Sequence, residues 1–165
     1  MGGKIWLNSA PDKGSEFSFS IPYRPVDSVI LANIEPLKEK TAIVVSKSKS
    51  RFEKLSKITK HLGIQLRYIK SGVETVEFFQ GGLLADMVLI DIDLDQMNGI
   101  TTTKAIRAFN KNLTVIAIKN KENSKFEVED AIAVGCSDYI RSEDSDSEIL
   151  NTILFNIIDR SNLKF

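Results

Sequence analysis

The chain has 165 residues, and its 22 basic and 22 acidic side chains give a formal net charge of zero at pH 7. This balance argues against nucleic acid or an anionic membrane surface as the main partner. The single cysteine, Cys136, excludes an internal disulfide and a cysteine-based zinc site, and it indicates a reducing, cytoplasmic setting. No apolar run approaches the roughly 20 residues that span a bilayer, so we expect no direct membrane insertion.

Residues 1–23 predict a β-hairpin. Residues 4–8 are rich in β-formers, residues 17–21 alternate apolar and polar side chains, and turn-forming residues separate the two runs. A lone hairpin is marginally stable in water, so its apolar face would need a larger sheet. Residues 24–40 predict a linker, because Pro25 and Pro36 interrupt them and remove backbone donors.

Five apolar runs alternate with helical patterns from residue 41 onward. The runs are residues 42–45, 66–69, 87–90, 115–118 and 139–140. They are continuous or nearly so, which is typical of strands buried on both faces of a sheet. The repeated β-α order predicts a parallel sheet with helices on both faces and right-handed crossovers.

The predicted helix starts share a signature in which a serine is followed three residues later by a glutamate. These pairs begin at Ser50, Ser71, Ser124 and Ser145. In such a capping box, each side chain satisfies a backbone N–H group that the helix itself cannot. At the other end of the first helix, Gly63 follows an apolar stripe and predicts the stop.

In an open sheet of this kind, ligands bind beyond the carboxyl ends of the strands. The residues that follow the apolar runs there are Ser46, Lys47, Asp91, Lys119, Arg141 and Ser142. These side chains are therefore the first candidates for a functional site.

Residues 85–99 resemble the phosphoacceptor strand and loop of two-component receiver domains. In that family an aspartate ends the third strand and a glycine follows eight residues later, as Asp91 and Gly99 do here. The resemblance covers residues 41–162. It implies a flavodoxin-like α/β fold with five parallel strands in the order 2-1-3-4-5 and helices on both faces. Tyr139 matches the aromatic residue that changes position when a receiver is phosphorylated.

The first 23 residues are similar to a different family. Residues 1–6 and 11–19 resemble the last two strands of a histidine kinase ATPase domain. Kinase tail, linker and receiver in this order would be a hybrid histidine kinase, whose parent protein could be anchored in the inner membrane. The family's ATP-binding glycine boxes and phosphorylated-histidine helix do not occur in this sequence, so we expect no enzyme activity from this chain alone.

The resemblance also defines where this chain departs from its pattern. A working receiver holds magnesium with two acids after the first strand, together with the aspartate, whereas this chain has Ser46 and Lys47 there. Lys119 stands where the family has a hydroxyl residue, and Ser142 where it has a lysine. Because magnesium prefers carboxylate oxygens, we expect weak or absent magnesium binding, no other cofactor, and a vestigial phosphoacceptor position at Asp91.

These substitutions suggest a pocket with inverted charge. We hypothesise that Lys47 or Lys119 pairs with Asp91 in place of the metal, and that Asp93 offers a second carboxylate. An opposite charge within about 4–6 Å favours the ionised carboxylate. Arg141 is one residue out of register with the missing lysine, so it is predicted to point to the opposite face of the sheet.

The leading functional hypothesis is a pseudo-receiver that regulates a hybrid kinase of a phosphorelay by protein contacts. Its partners would be the kinase core or a downstream receiver or phosphotransfer domain of the same chain, with a homodimer as an alternative. The resemblance implies residues 124–162 as the docking surface. Two alternatives stay open, namely an active receiver phosphorylated on Asp91 and a sensor of an anionic small molecule that uses Lys47, Lys119 or Arg141.

Overall fold

The computed structural model describes residues 4–10, 14–20, 37–119 and 128–157. Within the first two ranges it describes the backbone, together with the exposure of Gly14 and Phe17. The chain divides into two compact units, Met1–Asn33 and Ile34–Phe165. None of the helices in these described ranges is long and apolar enough to cross a membrane.

The first unit contains the predicted hairpin. Strand β1 (Lys4–Ala10) pairs antiparallel with strand β2 (Gly14–Ser20), in a register that runs from Lys4 opposite Ser20 to Ala10 opposite Gly14. Gly14 has a φ of 84°, a left-handed conformation that glycine adopts without a steric penalty. Both predicted strands are therefore present. The first continues to Ala10 and the second begins at Gly14, so the turn between them is shorter than the sequence pattern indicates.

The second unit is built on a parallel sheet of five strands. They are β3 (Thr41–Val45), β4 (Gln65–Ile69), β5 (Met87–Asp91), β6 (Thr114–Lys119) and β7 (Asp138–Arg141). Their order across the sheet is β4-β3-β5-β6-β7, which is 2-1-3-4-5 when counted within this unit. The predicted fold class and strand order are confirmed, and β5 lies at the centre with all five of its residues buried.

Helices cover both faces of this sheet. They are α1 (Lys49–Thr59, continued by a 3₁₀ turn at Lys60–Leu62), α2 (Gly72–Gln80), α3 (Gly99–Phe109), α4 (Val128–Ala133) and α5 (Asp146–Ile157). Helices α1 and α5 pack on one face, where Leu55 and Ile153 join a core cluster with Leu89. The other three helices pack on the opposite face around Ile90 and Ile106. Side chains that alternate along each strand thus separate two apolar cores.

The helix starts agree with the sequence at some positions and differ at one. Ser71 and Ser145 cap α2 and α5, where each serine hydroxyl accepts from the backbone N–H three residues on, at 3.2 and 3.3 Å. The first helix instead begins two residues earlier than the box at Ser50 predicts, because Ser48 is its N-cap. The box at Ser124 lies outside the described residues.

Candidate functional site at the carboxyl ends of the strands

The site is centred on Asp91, the last residue of β5. Parallel pairing sets it directly beside Ile118 of β6, while Ser46 directly follows the neighbouring strand β3. The side chain of Asp91 is 3 % exposed, so the carboxylate is nearly sealed from solvent. A buried carboxylate needs hydrogen bonds or an opposite charge, since burial without either is costly.

Ser46 supplies the first of these partners. This residue is fully buried, and its hydroxyl donates to Oδ2 of Asp91 at 2.5 Å. The same hydroxyl oxygen accepts from the backbone N–H of Ser48 at 3.0 Å, which fixes the direction of the proton. The sequence therefore predicted the position of Ser46 in the pocket, and the structure shows that its hydroxyl holds the aspartate.

Arg51 supplies the second partner, which the sequence analysis did not single out. Its Nε lies 2.9 Å from Oδ1 of Asp91, and the arginine side chain is 23 % exposed. The N–H group does not point directly at the oxygen, so the contact is a close ion pair rather than an aligned hydrogen bond. The position of Arg51 in the sequence does indicate this role, because a helix that follows β3 must begin at the same edge of the sheet as Asp91.

Burial dominates the protonation of Asp91. Removal from water raises the pKa of this carboxyl above its ordinary value, while Arg51 and the Ser46 hydrogen bond act in the opposite direction. Two smaller influences follow, since the negative charge of Asp93 raises the pKa and the positive charge of Lys47 lowers it. Arg51 and Ser46 therefore reduce the cost of burying this charge without removing it.

Lys47 lies at this edge but forms its ion pair elsewhere. Its Nζ is 3.1 Å from Oδ1 of Asp95, and both side chains are largely exposed. The hypothesis of a lysine paired with Asp91 therefore needs correction, because the close cation is Arg51 and Lys47 contributes only the smallest of the attractions.

The ends of β6 and β7 form a neighbouring part of the same edge. Lys119 pairs in register with Arg141, and the backbone N–H of Ser142 donates to the carbonyl oxygen of Lys119 at 3.0 Å. The guanidinium of Arg141 lies 4.7 Å from the centre of the Tyr139 ring and donates to the tyrosine hydroxyl at 3.2 Å. By strand alternation, Tyr139 and Arg141 belong to the sheet face opposite Asp91, as the one-residue offset predicts.

The loop after β5 explains the glycine at position 99. The backbone N–H of Gly99 donates to the carbonyl oxygen of Ile92 at 2.9 Å, and a Cβ atom at this position would lie 2.3 Å from the carbonyl oxygen of Asp91. Asn98 then caps α3, with its Oδ1 accepting from Thr101 N at 2.8 Å. The spacing from Asp91 to Gly99 is therefore required by close backbone packing.

Magnesium, which the receiver resemblance implies, does not fit the residues at this edge. Magnesium binds through oxygen ligands, with carboxylates preferred. Beside Asp91 the chain instead presents a serine hydroxyl that donates to the carboxylate and an arginine that pairs with it. Within the described residues, no three or more histidine, cysteine, aspartate or glutamate side chains are grouped as a metal site would need.

A five-stranded sheet in this order, with a buried aspartate at the end of its central strand, defines a receiver-type α/β domain. The model of the response regulator receiver domain family matches residues 42–154, so the chain belongs to that family. The N-terminal domain of a response regulator/sensory box/GGDEF three-domain protein from Carboxydothermus hydrogenoformans has the same fold, with a TM-score of 0.64 and 23 % identity. The match covers 72 % of this chain and 94 % of that one.

Two curated proteins are similar to this chain. The sensor histidine kinase CheAY of Helicobacter pylori is 31 % identical over 103 residues, which is 61 % of this chain and 13 % of that kinase. The two-component response regulator 24 of Arabidopsis thaliana is 26 % identical over 113 residues, covering 68 % of this chain and 81 % of that protein. The chain thus corresponds to a small part of the first relative and to most of the second.

Proposed function

We propose that this receiver domain acts as a pseudo-receiver, a module that signals through protein contacts without accepting a phosphoryl group on Asp91. The observation that carries the proposal is the state of the carboxylate. One oxygen accepts from Ser46, the other is paired with Arg51, and the side chain is 3 % exposed. A nucleophilic oxygen must instead be free to approach the phosphorus atom.

The charge of the pocket argues in the same direction. Phosphoryl transfer gathers negative charge on the transferred group, and enzymes offset it with metal ions and positioned donors. The two positions where the family carries metal-binding acids hold Ser46 and Lys47, and Lys47 pairs with Asp95 at the surface. The pocket therefore offers no evident means of recruiting the divalent cation.

The hybrid kinase context is part of the same proposal. It is supported by the N-terminal hairpin, by the likeness of residues 1–23 to the end of a kinase ATPase domain, and by similarity to a protein named as a sensor histidine kinase. In this context the domain would lie in the cytoplasm and restrain or position a kinase core, a further receiver or a phosphotransfer domain. The docking surface over residues 124–162 stays a prediction.

The test is incubation with a small phosphodonor and magnesium, followed by intact-mass measurement. We expect no gain of a phosphoryl group. The alternative is an active receiver, and it would show a gain that Asp91→Asn abolishes and Asp95→Asn leaves intact. Asp95 is the suitable control because it lies in the same loop but is largely exposed and paired with Lys47.

A further inference from the structure

The cation beside Asp91 belongs to the chain itself. The Nε atom of Arg51 is 2.9 Å from Oδ1 of the carboxylate, and the described part of the chain groups no three or more histidine, cysteine, aspartate or glutamate side chains that could hold a metal ion. We infer that Arg51 is a tethered replacement for the divalent cation, and that it fixes the pocket in one electrostatic state whether or not magnesium is present. This inference rests on the proposed function, because it explains how the domain keeps its aspartate without phosphorylation.

The helix that carries Arg51 aims it at the aspartate. Arg51 is the third residue of α1, and its backbone N–H contacts both the hydroxyl and the carbonyl oxygen of Ser48 at 3.4 and 3.2 Å. Ser48 in turn donates its backbone N–H to the Ser46 hydroxyl. The start of α1 is thereby joined to the residue that holds the other oxygen of Asp91.

Each oxygen of the Asp91 carboxylate has a different partner. Ser46 donates to Oδ2 and Arg51 pairs with Oδ1, so each oxygen faces a donor or a cation that the chain itself supplies. Lys47, the other nearby cation, is 3.1 Å from Asp95. Arg51 is the cation paired directly with Asp91, so a change at this one residue tests the inference.

Tethering gives the arginine an advantage over a dissolved ion. A group held on the same chain acts at an effective concentration of about millimolar or more, without losing translational freedom on binding. The guanidinium is more weakly hydrated than a small cation, whereas magnesium must first shed tightly held water before it binds. Arginine should therefore exclude magnesium even if acids were restored beside Asp91.

The experiment restores those acids with and without the arginine. One variant carries Ser46→Asp and Lys47→Asp, and the second adds Arg51→Met, which keeps the aliphatic stem and removes the charge. Magnesium affinity is measured by titration calorimetry. We expect the second variant to bind about tenfold tighter or more than the first, because its cation position is vacated. Equal affinities in the two variants would overturn the inference.

A second measurement on the otherwise unaltered chain covers the case in which neither variant binds or folds. The Nε–H group of Arg51 should give a distinct NMR signal that Asp91→Asn shifts or removes. Arg107 is the internal control, because its Nε donates to the carbonyl oxygen of Gly135 at 2.9 Å and it belongs to α3, which packs on the opposite face of the sheet from α1. An Arg51 signal that Asp91→Asn leaves unchanged would contradict the ion pair.

The two proposals can fail separately. Uptake of a phosphoryl group by the unaltered chain would refute the pseudo-receiver function. Equal magnesium binding with and without Arg51, or an Arg51 signal insensitive to Asp91→Asn, would refute the tethered cation while leaving that function standing.

Discussion

Burial affects the pKa of Asp91 more strongly than the neighbouring charges do. Its carboxylate has a cation at 2.9 Å and a hydroxyl at 2.5 Å, yet its pKa lies above the ordinary value of 3.8. The folded protein therefore favours the protonated form relative to the unfolded chain. The contribution of Asp91 to the free energy of unfolding is therefore largest below pH 3.8, and it is lost as the pH rises through the folded-state pKa.

Asp91→Asn should accordingly stabilise the protein at neutral pH. Asparagine carries no charge to bury, and its amide oxygen can still accept from Ser46. Arg51 loses its partner, but its partly exposed side chain can turn its head group toward water. We expect a gain in the free energy of unfolding on the order of 1 kcal/mol, measured by urea denaturation at pH 7.

The gain should shrink as the pH is lowered toward 3.8, because the aspartate then becomes neutral in the folded protein. Asp95→Asn is the control. Its exposed pair with Lys47 should be worth about 0.5 kcal/mol or less. A destabilised Asp91→Asn variant at pH 7 would show that the ion pair outweighs burial.

Gly99→Ala should destabilise the domain by about 2 kcal/mol or more, because the added methyl group meets backbone atoms that cannot turn away. The nearest is the carbonyl oxygen of Asp91 at 2.3 Å, followed by backbone atoms at 3.0 Å. Thermal and urea denaturation measure the loss. This clash should outweigh the preference of helices for alanine, which is about 1 kcal/mol.

Gly82→Ala serves as the matched comparison, since Gly82 has a φ of 78° but no atom within 4 Å of the added methyl group. It should cost about 1–2 kcal/mol from backbone strain alone. If Gly99→Ala were the milder of the two changes, close packing would not be the reason for this glycine.

At the scale of single residues, the sequence predicted which side chains gather at the site but not how they pair. Asp91, Ser46 and Lys47 follow strands whose carboxyl ends must meet, so topology alone brings them together. Arg51 was missed because its role depends on the rotation of α1, which is set by the exact first residue of the helix. Lys47 pairs with the exposed Asp95 instead of Asp91, and strand topology alone does not distinguish the two carboxylates.

Among the helices, α1 shows how one polar residue decides where an element begins. Both Ser48 and Ser50 can cap a helix, and Ser50 also has a glutamate at the third following position. In the structure Ser48 has the extended backbone of an N-cap and accepts from Arg51, while the two serine hydroxyls lie 2.8 Å apart. With Ser48 as the N-cap, Arg51 is the third residue of the helix, whereas a cap at Ser50 would make it the first.

Ser48→Ala should therefore cost about 1 kcal/mol of stability, whereas Ser50→Ala should change it by about 0.5 kcal/mol or less. Urea denaturation of the two variants provides the comparison. The NMR signal of the Arg51 Nε–H group should also move in the first variant and not in the second. A larger loss for Ser50→Ala would favour the cap that the sequence pattern suggests.

The strands were more predictable than the helix boundaries. An apolar run in a doubly covered sheet has little freedom, since each residue must be buried on one face or the other. All five runs lie inside observed strands, which extend them by one or two residues at their ends. Capping depends on a few hydrogen bonds worth about 1 kcal/mol each, so alternative starts compete closely.

The whole chain combines two units with separate internal contacts, Met1–Asn33 and Ile34–Phe165. The second contains both core clusters, and Leu37, where the described residues of this unit begin, is already buried at 3 % exposure. We expect residues 34–165 alone to fold, to unfold cooperatively in urea, and to keep the same response to phosphodonor. Loss of cooperative unfolding in this shortened chain would show that the first unit is needed for the second.

The packing at Gly99 has a consequence for how receivers are recognised in genomes. Aspartate followed by glycine eight positions later is enforced here by the approach of the loop to the strand end, at a distance that admits no methyl group. That demand is the same whether or not Asp91 accepts a phosphoryl group. The aspartate and glycine together therefore indicate ancestry and backbone geometry. Whether a receiver can carry out phosphoryl transfer must be judged from the two residues after the first strand of the sheet.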